Sequence, residues 1–170
     1  MIASSDLHSS SIASLVAAFA DGSGSIRQKA REALVQIGRP AVPALVAALG
    51  SHEAQVRWEA AKALHDLADP ASAGALVAAL EDTSFDVRWL AAEGLALIGR
   101  KALEPLLAAL ADHGDAIWLR EGGHHVLKAA ARRGLAEVVG PVLAALEGVE
   151  PELVTPPAAQ AALKALHGSS

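Results

Sequence analysis

The chain has 170 residues, 52% of them hydrophobic and 3% aromatic, with a formal net charge of −5. It is long and apolar enough to bury one continuous core. The absence of Cys excludes disulfides, thiolate nucleophiles and Cys-based metal sites, and an acidic chain without a basic cluster is poorly placed to bind nucleic acid or an anionic membrane surface.

The opening MIASSDLHSSS has no positively charged region followed by an apolar core. It is therefore not expected to be a secretory signal, and residues 1–11 are expected to form a flexible N-terminus. No apolar run approaches the length of a membrane span, and the expected location is cytoplasmic. From residue 12 a short motif recurs, reading LVAAF at Leu15, LVAAL at Leu45 and Leu76, LLAAL at Leu106 and VLAAL at Val142. The spacings are 30, 31, 30 and 36 residues. A fixed period in this range marks a stacked-repeat architecture. Helical hairpins are expected over 12–38, 41–68, 71–99 and 102–132, with a looser pair over 136–167. Together they make one repeat domain over 12–167, and 168–170 are expected to be a flexible C-terminus.

In three of the hairpins a proline, Pro43, Pro105 or Pro141, lies in or near the first turn of the first helix, where a missing N–H costs nothing. The second helices read IRQKAREALVQI from Ile26, VRWEAAKALHDL from Val56, VRWLAAEGLALI from Val87 and LREGGHHVLKAA from Leu119. At about 100° per residue, Val56, Ala60, Leu64 and Leu67 fall within an arc of roughly 80°, the buried stripe. Val87, Ala91 and Leu95 repeat it. Trp58, Lys62 and Asp66 lie at about 200°, 240° and 280°, away from that arc. Gly38 and Gly99 follow the last apolar residue of their helices, where an αL cap is wanted. Thr155 is expected to cap a last helix that begins at Pro156.

The pattern [IV]-R-x-x-A-x-x-[AG]-L-x-x-[IL]-G resembles the HEAT-like repeats named after phycobilisome lyases, well over about residues 12–132 and weakly beyond. The resemblance implies an all-α, right-handed α-solenoid, an α-α superhelix of HEAT-like hairpins whose second helices line the concave face. On that face it places Gln28, Lys29, Glu32 and Gln36, then Trp58, Glu59, Lys62 and Asp66, then Trp89, Leu90, Glu93 and Leu97, and finally Glu121, Gly122 and His125. Proteins with such repeats include chromophore lyases, an iron-dependent hydroxylase, docking adaptors and artificial binders, so the fold alone assigns no activity.

Several constellations bear on function. Trp58 and Trp89 hold one phase in adjacent repeats. Packed helices lie about 8–10 Å apart, so the two indoles can touch and form a partner's anchor point. Arg27, Arg57, Arg88 and Arg120 occupy one position in every repeat, and Asp21, Ser51, Asp82 and Asp112 a matching turn position. This reads as a structural ladder of charge-assisted hydrogen bonds. His124 and His125, with Glu121, His113 and Asp115, are metal-ligating types, but adjacent helical side chains diverge by about 100°, so no metal site is expected. The hydroxylase relatives carry His-Glu pairs at the start of second helices. Gln28–Lys29, Trp58–Glu59, Trp89–Leu90 and Glu121–Gly122 stand there instead, and His52–Glu53 lies in a turn. His65 and Asp66 near Ser51 lack the strand-turn-helix context of a nucleophile.

The function expected is a non-catalytic scaffold or adaptor, monomeric or weakly oligomeric, that binds a protein or peptide on the concave face without a cofactor. A chromophore-lyase-like subunit or accessory enzyme component is the alternative, by resemblance alone. A nucleic-acid glycosylase on a related solenoid is disfavoured by the acidic charge.

Overall fold

The computed structural model describes residues 4–168, and side-chain surroundings from residue 11 onward. Ten α-helices follow one another: α1 (Ser4–Ala17), α2 (Gly24–Ile37), α3 (Val42–Ala48), α4 (Ala54–Leu67), α5 (Ala73–Ala79), α6 (Phe85–Ile98), α7 (Arg100–Asp112), α8 (Ile117–Ala130), α9 (Ala136–Leu146) and α10 (Pro151–Gly168). There is no strand among the described residues. The chain is an all-α solenoid of helical hairpins. The first helix starts at Ser4, ahead of the boundary expected at residue 12, and 1–3 and 169–170 lie outside the described residues. Among the described residues no helix is long and apolar enough to cross a membrane.

The second helices α2, α4, α6 and α8 pack in series, each on the next. The first helices form a second layer, with α1 on α3 and α5 on α7. Leu34, Leu45, Leu64, Leu76, Leu95, Leu106 and Leu127 run between the layers, fully buried. No hairpin encloses its own core, so neighbours complete one another's. Of the expected stripe, Val56, Ala60, Leu64, Val87, Ala91 and Leu95 are buried, and Leu67, at the end of α4, is half-buried against the core. Asp66 is exposed, and Lys62 and Glu93 are half-exposed. Small residues set the helix spacing. A Cβ at Gly94 would stand 3.4 Å from the Cα of His65 on α4.

Two details differ from expectation at helix ends. Gly38 and Gly99 have positive φ (78° and 71°), but their ψ of −142° and −133° lies outside the αL region. That backbone is essentially open only to glycine. The corresponding residue of the second hairpin, Ala68, holds the αL conformation (φ 46°, ψ 36°). Gly99→Ala should therefore lower stability by about 1–2 kcal/mol, whereas Ala68→Gly should not. Unfolding midpoints check this; a Gly99→Ala variant as stable as wild type would contradict it.

The last pair departs most from the repeat. α8 runs into α9 through a kink at Arg133 and Gly134, and Arg133 donates to the carbonyl of Ala96 at the end of α6. α9 then packs on α8, and α10 crosses back onto α7. The layers are thus exchanged relative to the earlier hairpins. The expected cap at Thr155 is corrected accordingly. α10 begins at Pro151 and passes through Pro156 and Pro157, so Thr155 lies inside it. Its hydroxyl is buried without a hydrogen-bond partner among the described residues.

Candidate functional site

The arginine ladder holds the second helices in register. In each of the first four repeats the arginine Nη1 donates to the carbonyl six residues before it: Arg27 to Asp21, Arg57 to Ser51, Arg88 to Asp82 and Arg120 to Gly114, at 2.6–2.9 Å. The fourth turn position is thus Gly114, not Asp112, because α7 runs longer than α3 and α5 and Asp112 is still part of it. Arg57 also donates from Nε and Nη2 to the Asp82 carboxylate at 2.7 and 3.0 Å, joining α4 to the turn before α6.

Burial alone would raise the Asp82 pKa, but the hydrogen bonds from Arg57 and the Ser84 N–H hold it below the usual range. A folded pKa below the unfolded one stabilises the protein above the unfolded value, and the effect vanishes as pH falls through the folded value. Asp82→Asn should therefore be less stable than wild type at neutral pH, with the gap closing at acid pH as the folded value is passed. Urea midpoints at neutral and acid pH test this; a constant gap would refute it.

Two clefts open between second helices. The first lies between α2 and α4, with a volume of ≈ 500 Å³, and is polar. Gln28 lines it, as do Arg27, Arg31, Trp58 and Glu59. Glu59, expected at an exposed rim, is corrected here: it is only 3% exposed. Arg27 Nε donates to it at 3.2 Å, Arg31 Nη1 donates to its other oxygen, and Gln55 adds a bond at 3.2 Å. Side chains from the preceding repeat cover the outward phase that the wheel gave it. Arg31 also stacks over the half-buried Trp58, 5.5 Å from its ring centre.

The second cleft lies between α6 and α8 and holds ≈ 170 Å³. Phe85, Arg88, Trp89 and Ala92 of α6 face Trp118, Glu121, Gly122 and His125 of α8. Three aromatic side chains stand open to solvent here: Phe85 is 66% exposed, Trp89 50% and Trp118 42%. The Arg88 guanidinium lies 4.3 Å from the Trp118 ring and 5.7 Å from that of Phe85. Trp89 meets the His125 ring at 5.2 Å, and His125 Nε2 pairs with Glu93 at 2.6 Å.

The expected contact between Trp58 and Trp89 is not made. Their ring partners are Arg31 and His125, in separate clefts. The structure does bring Trp89, Glu93, Glu121, Gly122 and His125 together. Lys29, Glu32 and Gln36 are exposed along α2, and Gln28 donates to Glu32 at 2.8 Å. Lys62, His65 and Asp66 form one cluster on α4. Burial there works against ionisation, but bonds from Lys62 and His65 hold the Asp66 carboxyl below its usual range. Leu90 is half-buried against the core and Leu97 is exposed.

Phe85 and Trp118 were not anticipated. The readable signal was the four-residue step from Phe85 to Trp89, which puts both on one helix face. His124 and His125 diverge, His124 pairing with Glu147 at 2.7 Å. Among the described residues no three His, Asp or Glu side chains are grouped to hold a metal ion. The Ser51 hydroxyl accepts from the Glu53 N–H in its turn, at 3.2 Å.

A comparison with curated proteins found no match. A family model of HEAT repeats matches residues 12–96, half of the chain, and ends within α6. With hairpins stacked in two layers and an arginine rung in each of the first four, the chain belongs to the HEAT-repeat family.

Proposed function

We propose that the chain is a non-catalytic interaction module whose second helices form a concave face for a protein or peptide partner. HEAT repeats generally mediate protein–protein interaction. The observation that carries this reading is the cluster of Phe85, Trp89 and Trp118, open to solvent in one cleft. Large aromatic side chains dominate interface energetics and are rarely left exposed in a group. Polar Glu93, Glu121 and His125 surround them, as a rim surrounds an interface core.

The test is affinity capture on the immobilised chain, with identification of the retained protein. The Trp89→Ala/Trp118→Ala variant should lose that protein, at a cost of at least about 2 kcal/mol in affinity. Its melting temperature should stay close to that of wild type, because neither indole belongs to the buried stripe. A variant that unfolds before it loses the partner would mean that the tryptophans serve the fold.

A further inference from the structure

After its second rung the arginine ladder loses the inter-repeat carboxylate, at Arg88 and at Arg120, and the gap at Arg88 lies in the aromatic cleft. In the first two repeats the arginine edge left over from the turn carbonyl goes to a carboxylate of the next repeat. Arg27 Nε donates to Glu59, and Arg57 Nε and Nη2 donate to Asp82. Arg88 donates only from Nη1, to the carbonyls of Asp82 and Thr83. Its Nε and Nη2 have no acceptor among the described residues.

The geometry of the next repeat explains the gap. Glu59 stands two residues after its own ladder arginine, and Asp82 six residues before its own. The same positions around Arg120 are Gly122 and Gly114. Neither has room for a side chain as packed. A Cβ at Gly122 would meet Leu80 Cδ2 at 2.7 Å, and one at Gly114 would meet Pro156 Cγ at 2.4 Å. Close packing of Gly122 on Leu80 and of Gly114 on Pro156 leaves neither position room for a carboxylate, and the guanidinium lines the cleft. The guanidinium lies over the rings of Trp118 and Phe85, and its Nη1 bonds to the turn carbonyls tether it there. A tethered planar fork with free donors suits a carboxylate, which accepts two parallel N–H bonds.

We propose that the partner supplies the missing rung: a peptide segment with a single Asp or Glu side chain on Arg88, flanked by apolar residues lying on Trp89 and Trp118. This rests on the reading of the cleft as the docking site. The other charges nearby limit the occupant. Glu93 is already paired with His125, while Glu121 lines the cleft and is exposed. With a net charge of −5 the chain repels a polyanion at long range. One carboxylate in an apolar context fits both conditions.

The test uses three fluorescein-labelled, end-blocked peptides, Leu-Glu-Leu, Leu-Gln-Leu and Leu-Lys-Leu, titrated with the full chain by fluorescence anisotropy. The Glu peptide should bind about tenfold or more tighter than the Gln peptide, the range of a charge-assisted hydrogen bond. Arg88→Lys, which keeps the charge but loses the fork, should shrink that ratio. If the Glu and Gln peptides bind alike, the cleft is an apolar docking site: the proposed function stands and the carboxylate inference falls. If the Lys peptide binds best, Glu121 rather than Arg88 sets the preference, and the inference again falls. Binding of none of the three overturns it too. The peptide comparison in wild type decides the question even if Arg88→Lys does not fold.

Discussion

Replacing Glu59 by alanine should lower the unfolding free energy by about 2–4 kcal/mol. The carboxylate is buried and holds both Arg27 and Arg31, whose side chains are themselves mostly covered. Removing one partner of a buried ion pair leaves the others desolvated and uncompensated. Here two guanidinium groups from α2 would lose their acceptor on α4, so the joint between the first two hairpins should weaken. Arg31 would also lose the bond that holds it over Trp58. Denaturant unfolding of Glu59→Ala beside Glu32→Ala makes the measurement. Glu32 is exposed, and its loss should cost no more than about 0.5 kcal/mol. Equal losses for the two variants would mean that Arg27 and Arg31 find other acceptors.

The second large effect is expected at the other end. Gly114→Ala places a methyl group against the ring of Pro156, 2.4 Å from Cγ and 2.8 Å from Cδ. The proline is held within α10 and cannot swing aside like the end of a flexible side chain. α10 must therefore move off α7, and overpacking of this kind costs about 1–3 kcal/mol. The loss should be local. Amide hydrogens of α10 should exchange faster, while those of α4 and α6 keep their protection. Gly140→Ala, in α9 with nothing within 4 Å, should instead be neutral or stabilising by up to about 1 kcal/mol. Unchanged exchange in α10 would show that the last helix is not docked through Gly114.

How much of this was legible in the sequence follows from where each property resides. The buried stripe is a property of single helices. The 3.6-residue period therefore placed Val56, Ala60 and Leu64, and Val87, Ala91 and Leu95, without error. The first three rungs were legible because Arg and its turn recur at one spacing; the fourth was misplaced, since Asp112 stands eight residues before Arg120 and the acceptor is Gly114. Glu59 was not, since its burial comes from Arg27 and Arg31 of another repeat. A wheel drawn on one helix cannot contain them. The tryptophans failed for the same reason. Trp58 and Trp89 share a phase, but each indole turned to a partner of its own cleft. Trp118 precedes the repeated Leu119, and its place beside Arg88 depends on how α8 crosses α6. The exchanged layers of α9 and α10 depend on the kink at Arg133 and Gly134, which no periodicity reports. Their amphipathic pattern fits either layer.

The central claim is that the partner docks in the cleft between α6 and α8. Titration calorimetry of the captured partner against wild type, Trp58→Ala and Trp89→Ala/Trp118→Ala tests it most directly. The double variant should bind about 30-fold more weakly or worse, matching a loss of about 2 kcal/mol. Trp58→Ala, in the polar cleft beside α2, should bind within about threefold of wild type. A double variant that is folded and binds as wild type does, or a Trp58→Ala variant that alone abolishes binding, would contradict the account.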